Sequence, residues 1–284
     1  MITAGRWAGV HLDTGQYLAL WRHLELGRHP LLLAVLDHGR TYAERDALDA
    51  AALRRLAGQG LLDTAGVPDP ALADALAVLA APAREVDVRL LVPDAPPLGV
   101  VAAARGGLGV VAWLTGRGLR LEPADPRDPA GALLARHPDA PAAPGVPMTL
   151  PADALHGEGL TTDERLRRLR RAGVPSHHLA RLRAMWAAPP IRAATFGVAV
   201  RDAEGVRCRG PRVLTVLDTV TGRVAVGPDP TGAHVIVRPV DRTRLRAECA
   251  ALLELHARDV AGTDRPDHQA RSTARTAAGA SEGR

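Results

Sequence analysis

The stretch from Thr195 to Val226 leaves this chain little choice of architecture. Phe196, Val198 and Val200 alternate with Gly197, Ala199 and Arg201, the two-residue period of a half-buried strand. Asp202-Ala-Glu-Gly205 is turn chemistry. Val213, Thr215 and Leu217 then alternate up to a second turn, Asp218 to Gly222, after which Val224 and Val226 return. The segment reads as a ladder of short strands joined by tight turns.

The same period occurs earlier. Val86, Val88 and Leu90 alternate with Asp87, Arg89 and Leu91. Val100–Ala104, a Gly106-Gly107 turn, Val110–Leu114, a Gly116–Gly118 turn and Leu119–Leu121 follow, which predicts an antiparallel meander. Helical spacing surrounds these ladders. Tyr17, Leu20, Trp21 and Leu24 mark a helix over 15–26, and Leu31–Leu36 reads as a brief apolar strand. Thr41-Tyr-Ala-Glu44 has the form of a capping box. It opens a helix to about Ala57 with Leu48, Ala52, Leu53 and Leu56 on one face, ended by Gly58 and Gly60. Further helices are predicted over 70–81 and 129–137, and Pro138 to Pro147 reads as a linker. Thr161-Thr-Asp-Glu164 is a second capping box, before a basic helix over 165–172 that breaks at Gly173-Val-Pro175. Ser176 is expected to cap the next helix, running to about Ala187. A strand over 234–238 precedes a final helix over 241–258 with Leu245, Cys249, Leu252 and Leu253 on one side.

The two ladders close alike. Leu119-Arg-Leu-Glu-Pro-Ala-Asp125 and Val235-Ile-Val-Arg-Pro-Val-Asp241 are each strand, Pro, one residue, Asp, and then a helix. Proline ends the strand by removing a ladder donor, and Asp sits near the free N–H groups of a helix start. The expected fold is α+β: a mostly antiparallel central sheet flanked by helices, in two quasi-two-fold, pseudo-duplicated halves. The division is 1–137, a Pro/Ala-rich linker and short strand over 138–160, a second half over 161–259, and a disordered tail from 260 to 284.

Composition excludes several chemistries. All 36 basic residues are Arg, and the chain holds neither Lys nor Asn. Schiff-base lysines and P-loop lysines are therefore impossible. Ile, Phe and Tyr are scarce too, at 3, 1 and 2. These residues share A/T-rich codons, so a GC-rich genome accounts for the arginine excess, which is poor evidence for nucleic-acid binding. At 284 residues, roughly three quarters of the unfolded surface can be buried without disulfides. Cys208 and Cys249 read as reduced packing residues. No apolar run approaches the ~18 residues that span a bilayer, and the N-terminus lacks the apolar core of a signal peptide, so a cytoplasmic protein without membrane insertion is expected.

Candidate reactive groups are few. Serine occurs at 176, 272 and 281. Ser176 precedes His177 and His178, but no nucleophile elbow surrounds it and no metal-ligand spacing accompanies the histidines. Arg105-Gly-Gly-Leu-Gly109 lies between two strands and reads as a hairpin turn, not a phosphate loop. No catalytic residue, metal or cofactor is assigned. From Thr161 to Trp186 the chain holds seven Arg against two acids, a net +5 that equals the formal charge of the whole molecule. Arg165, Arg167, Arg168, Arg170 and Arg171 are either a solvated helix face over inward Leu166, Leu169, Leu179, Leu182 and Met185, or a surface for an acidic partner or nucleic acid. Trp7-Ala-Gly9 and Tyr42-Ala-Glu-Arg-Asp46 match the WxG and YxxxD patterns of type VII export signals, which raises the alternative of an export substrate.

The order FGVAVRDxxG from Phe196, a Pro-containing strand and then DTxxGR from Asp218 resembles the C-terminal half of the EspG family of actinobacterial ESX (type VII) secretion loci. Ala43-Glu-Arg45 with its Leu- and Ala-rich helix, Gly60-Leu61, Leu72 to Leu79, Arg84 to Val88 and Ala103-Ala-Arg-Gly106 follow the family's order in the first half. The resemblance implies a cytosolic chaperone that binds the apolar tip of a PPE-like protein in a PE–PPE-type pair, or a WXG100-like client. It implies partner contacts at Leu179, Leu182, Met185 and Trp186 on the helical pair and at Phe196, Val198 and Val200, with the chaperone a monomer or homodimer.

Overall fold

A computed structural model describes residues 8–263 apart from 156, 158 and 230. Trp7, Ser272, Ser281 and the tail from 264 lie outside the described residues. The elements run β1 (Val10–Leu12), α1 (Thr14–His23), a 3-10 turn (Leu31–Leu33), α2 (Tyr42–Gly58), α3 (Pro70–Ala80), β2 (Arg84–Leu91), β3 (Leu98–Arg105), β4 (Leu108–Thr115), β5 (Gly118–Pro123) and α4 (Pro129–Leu134). Then follow β6 (Met148–Pro151), α5 (Ala152–Leu155), α6 (Thr162–Arg171), α7 (Ser176–Met185), β7 (Arg192–Arg201), β8 (Arg207–Arg209), β9 (Leu214–Thr219), β10 (Gly222–Pro228), β11 (His234–Pro239) and α8 (Arg242–Thr263).

One sheet unites the strands in the order β1-β5-β4-β3-β2-β7-β9-β10-β11-β6, with β8 paired to the end of β7. Its ladders are antiparallel, as tight turns require. The seam between the halves is the β2–β7 pair, where Val86 faces Val198 and Val88 faces Phe196.

Register sorts the apolar residues into three packed groups. The row Val100, Val88, Phe196 and Leu214 lies on one face, where α4 and α8 cover the middle of the sheet through Leu133, Leu245, Cys249 and Leu253. On the other face, α1, the 3-10 turn, α2 and α3 cover the β1–β5–β4–β3 end, with Trp21, Leu33, Leu56 and Leu76 against Val101 and Ala112. That same face is covered at its opposite end by α5, α6 and α7, whose Leu166, Leu169 and Leu182 pack on Met148, Val224 and Val237.

Several local expectations give way to tertiary contacts. Leu31–Leu36 is a 3-10 turn followed by extended chain, with Leu33 fully buried and Leu31 and Leu36 almost fully exposed. A strand there would need an edge to pair with, and β3 is already paired on both sides. Leu48 of α2 is exposed, whereas Ala52 and Leu56 are buried. At Thr41 the box forms by half: its hydroxyl accepts from the Glu44 N–H, but the Glu44 carboxylate turns back to Arg40 N–H at 2.8 Å. Ser176 does not cap α7; it is the first helical residue, after Pro175. Proline supplies the fixed φ that starts a helix without a side-chain acceptor. In β9 the buried set is Leu214, Val216 and Asp218, and Val213 is exposed. Residues 260–263, expected to be disordered, continue α8.

Candidate partner-docking face

The strand β7 carries two different faces. Ala194, Phe196, Val198 and Val200 point into the layer under α4 and α8. Their alternates, Ala193, Thr195, Gly197 and Ala199, are small and lie on the other face. The helices on that face stop short of the middle. Those of the first half reach β3, where a Cβ at Gly99 would meet the Leu32 carbonyl oxygen at 2.6 Å. Those of the second half reach Leu217 and Val226. Between them lies a floor of Arg89, Leu91, Ala193, Thr195 and Thr215, matched across β2, β7 and β9. Leu91 and Thr195 are exposed, while Ala193 and Thr215 are half-buried. From β3 to β9 is three strand spacings, or about 14 Å. An α-helix with its side chains is about 10–12 Å across, a dimension of the same order.

Both rims are held firmly. On the first, Arg22 of α1 donates to Asp49 of α2 at 2.7 Å and to Asp37 at 2.9 Å, and His38 meets Asp49 at 2.7 Å. This network ties Asp37 and His38, next to exposed Leu36, to α1 and α2. Burial alone would raise the Asp49 carboxyl, but hydrogen bonds and charge from Arg22 and His38 outweigh it and hold it below the ordinary carboxylate range.

On the second rim, Thr161 and Glu164 close a complete capping box at the start of α6. The Thr161 hydroxyl and backbone N–H hold the Glu164 carboxyl below its ordinary value. Replacing Thr161 by Ala is expected to remove about 1 kcal/mol from this helical pair. Faster amide exchange along α6 with the central strands unchanged would show it; unchanged exchange would mean packing, not the cap, holds α6.

One end of the trough is closed by ion pairs. Glu85 and Asp87 project from β2 onto this face and are nearly inaccessible to solvent. Arg207 of β8 grips Glu85 with two bonds, at 3.0 and 2.7 Å, and Arg209 grips Asp87. The Arg209 guanidinium lies over Gly197, where any Cβ would collide with it.

The anticipated contact residues sit elsewhere. Phe196, Val198 and Val200 are on the covered face, and Leu179, Leu182 and Met185 are 9% exposed or less, packed against the sheet. Trp186 is half-buried at the edge of the same group. They support the trough rather than line it. In β7 the alternate residues Ala193 and Thr195 take the open face, because one residue turns a strand's side chain to the opposite face. A substitution such as Leu182→Asp would therefore report on folding. Of the arginines, Arg167, Arg168, Arg170 and Arg171 are exposed and Arg165 is half-buried, over inward Leu166 and Leu169. Tyr42 is exposed in the first turn of α2, with the Arg45 guanidinium over its ring.

Reactive chemistry has little to build on. Among the described residues, no group of three or more His, Cys, Asp or Glu is placed to hold a metal. His177 and His178 meet edge to face, with ring centres 4.2 Å apart. Also among the described residues, no helix is long and apolar enough to cross a membrane.

The sequence profile of the EspG family matches residues 14–251. The chain belongs to the EspG family. Among solved structures, its fold is similar to that of the Mycobacterium tuberculosis type VII secretion system chaperone EspG5, determined in complex with the PE25–PPE41 dimer. The match has a TM-score of 0.67 at 18% identity and covers 87% of this chain and 96% of that one. No curated protein matches the sequence. The α+β sheet with flanking helices that the EspG resemblance implied is the fold observed.

Proposed function

We propose that this EspG-family chain is a cytoplasmic chaperone of type VII secretion. It binds the tip of a PPE-like protein in a PE–PPE-type pair, keeps that tip soluble until export, and catalyses no reaction. The observation that carries this reading is the trough left open on the sheet, floored by Arg89, Leu91, Ala193, Thr195 and Thr215 and rimmed by anchored helical layers. An export client with an exposed apolar tip aggregates unless it is covered. A preformed trough covers a helical tip without ordering a loop of its own, and so avoids that entropic cost. The solved complex of EspG5 with PE25–PPE41 supports the same reading.

The test is co-expression with the PE/PPE-like or WXG100-like pair encoded nearest the gene, followed by size-exclusion chromatography with light scattering. A complex of defined mass that keeps the client soluble is the expected result. Thr195→Trp fills the trough floor without changing charge or core packing, and is expected to abolish the complex while leaving the fold intact. A folded Thr195→Trp protein that still binds would refute docking in the trough. A wild-type protein that ignores the client and instead binds DNA or RNA through the α6 arginines would refute the chaperone reading itself.

A further inference from the structure

We propose that Arg89 sets client specificity by requiring a carboxylate on the docked tip. The inference rests on the trough reading above and adds the chemistry of the occupant.

Three charged side chains project from β2 onto this face: Glu85, Asp87 and Arg89. The first two are buried and matched by Arg207 and Arg209. Arg89 is different. It is exposed on the floor, and among the described residues it makes no ion pair. Its cross-strand neighbours are Gly99 on β3 and Thr195 on β7, neither of them charged. The next residues along those strands on the same face are Val101, Ala193 and Gly197. The nearest acid on its own strand, Asp87, is saturated by Arg209. On the adjacent rim, the Leu32 backbone comes down over Gly99 and adds no charge.

Docking a helix over this floor takes Arg89 out of water. A guanidinium desolvated without a partner is strongly unfavourable. A client with an apolar or basic residue at that point is therefore rejected, and one with Asp or Glu gains a charge-assisted contact. The exposed arginines of α6 act at longer range in the same sense, favouring encounter with an acidic tip at low salt.

The test uses the full-length protein and the co-expressed client pair, with affinity measured by calorimetry at two salt concentrations. Arg89→Glu is expected to weaken binding at least about thirtyfold, and Arg89→Lys to bind between it and wild type. Changing one acidic residue of the client tip to Arg should lose wild-type binding and regain it with Arg89→Glu. Melting temperature checks that each variant is folded. If Arg89→Glu binds as wild type does while Thr195→Trp does not bind, the trough reading stands and the role of Arg89 falls. If Thr195→Trp also binds, both fall. If Arg89→Glu weakens binding but no client acid restores it on reversal, the carboxylate requirement is overturned.

Discussion

Replacing Arg223 by Ala is expected to destabilise the protein by about 3 kcal/mol or more, a fall in Tm of roughly 5 °C or more at this chain length. The guanidinium is almost completely inaccessible. Its Nε donates to Asp218 at 2.6 Å, and one terminal nitrogen donates to Asp218 at 3.0 Å and to the Pro138 carbonyl at 2.7 Å. Burial would raise the Asp218 carboxyl, but Arg223 first and Arg192 second hold it below the ordinary carboxylate range. Truncation leaves a buried carboxylate with Arg192 alone and orphans a carbonyl. The remaining Arg192 contact, at 2.9 Å, keeps the expected loss near the lower end of the usual range for a broken buried pair.

The consequence reaches beyond the pair. Arg223 also exchanges backbone hydrogen bonds with Pro141 and Ala143, so one residue fastens the Pro/Ala-rich segment to β10. Hydrogen exchange on Arg223→Ala should show 138–147 loosening with the melting shift. Arg223→Lys keeps the charge but loses the two-point geometry, and should fall between. A loss below about 1 kcal/mol in Arg223→Ala would mean that Arg192 and water replace the pair, and that it is not what holds the segment.

His137 is expected to make the protein lose about 3 kcal/mol of stability between pH 6.5 and pH 4. The ring is 5% exposed and lies edge-on to Phe196, and among the described residues neither nitrogen has a hydrogen-bond partner. Burial, then the charge of Arg223, lowers its pKa to about 4, with Arg192 and Arg242 acting in the same direction and Asp218 opposing. The folded value lies below the unfolded one, so between the two the unfolded chain binds more protons. Stability is complete above about pH 6.5, declines as pH falls, and levels off from this group below about pH 4. The lowered carboxyls of Asp218 and Asp49 act in the same direction at lower pH. Their stabilisation is complete above the ordinary carboxylate value and is lost only as pH drops below it.

Urea unfolding of wild type and His137→Leu across pH 7 to 4 separates these contributions. The variant should show a much flatter profile in this window, with a residual slope from half-buried His29, whose value is lowered by burial. Parallel profiles for the two proteins would show that the ring takes up its proton as freely folded as unfolded.

Local chemistry made much of the fold legible. The ladders around Gly106-Gly107 and Asp218 to Gly222 needed only period-two alternation and turn residues, and they form where expected. The capping box at Thr161 lies within four residues, so no distant contact decides it. The amphipathic pattern of α6 already separated inward Leu166 and Leu169 from the solvated arginines. Element order and turn residues were enough to point to the EspG family, whose profile covers the same stretch.

The open face of the sheet was not legible in the same way. Alternation shows that β7 has two faces, but both are uncharged from Ala193 to Val200, so charge does not say which set of side chains becomes core. Which face is open depends on where α4 and α8 land, and α8 packs on β2 from more than 150 residues away along the chain. The Pro/Ala-rich segment reads as a free linker because its anchor, Arg223, lies 85 residues downstream of Pro138. Leu31–Leu36 has the apolarity of a strand, but every strand edge within its reach is already occupied. Period, caps and turns act over a few residues and are written in order along the chain. Coverage of a sheet face and the pairing of a buried charge are settled by residues that become neighbours only when the chain closes on itself.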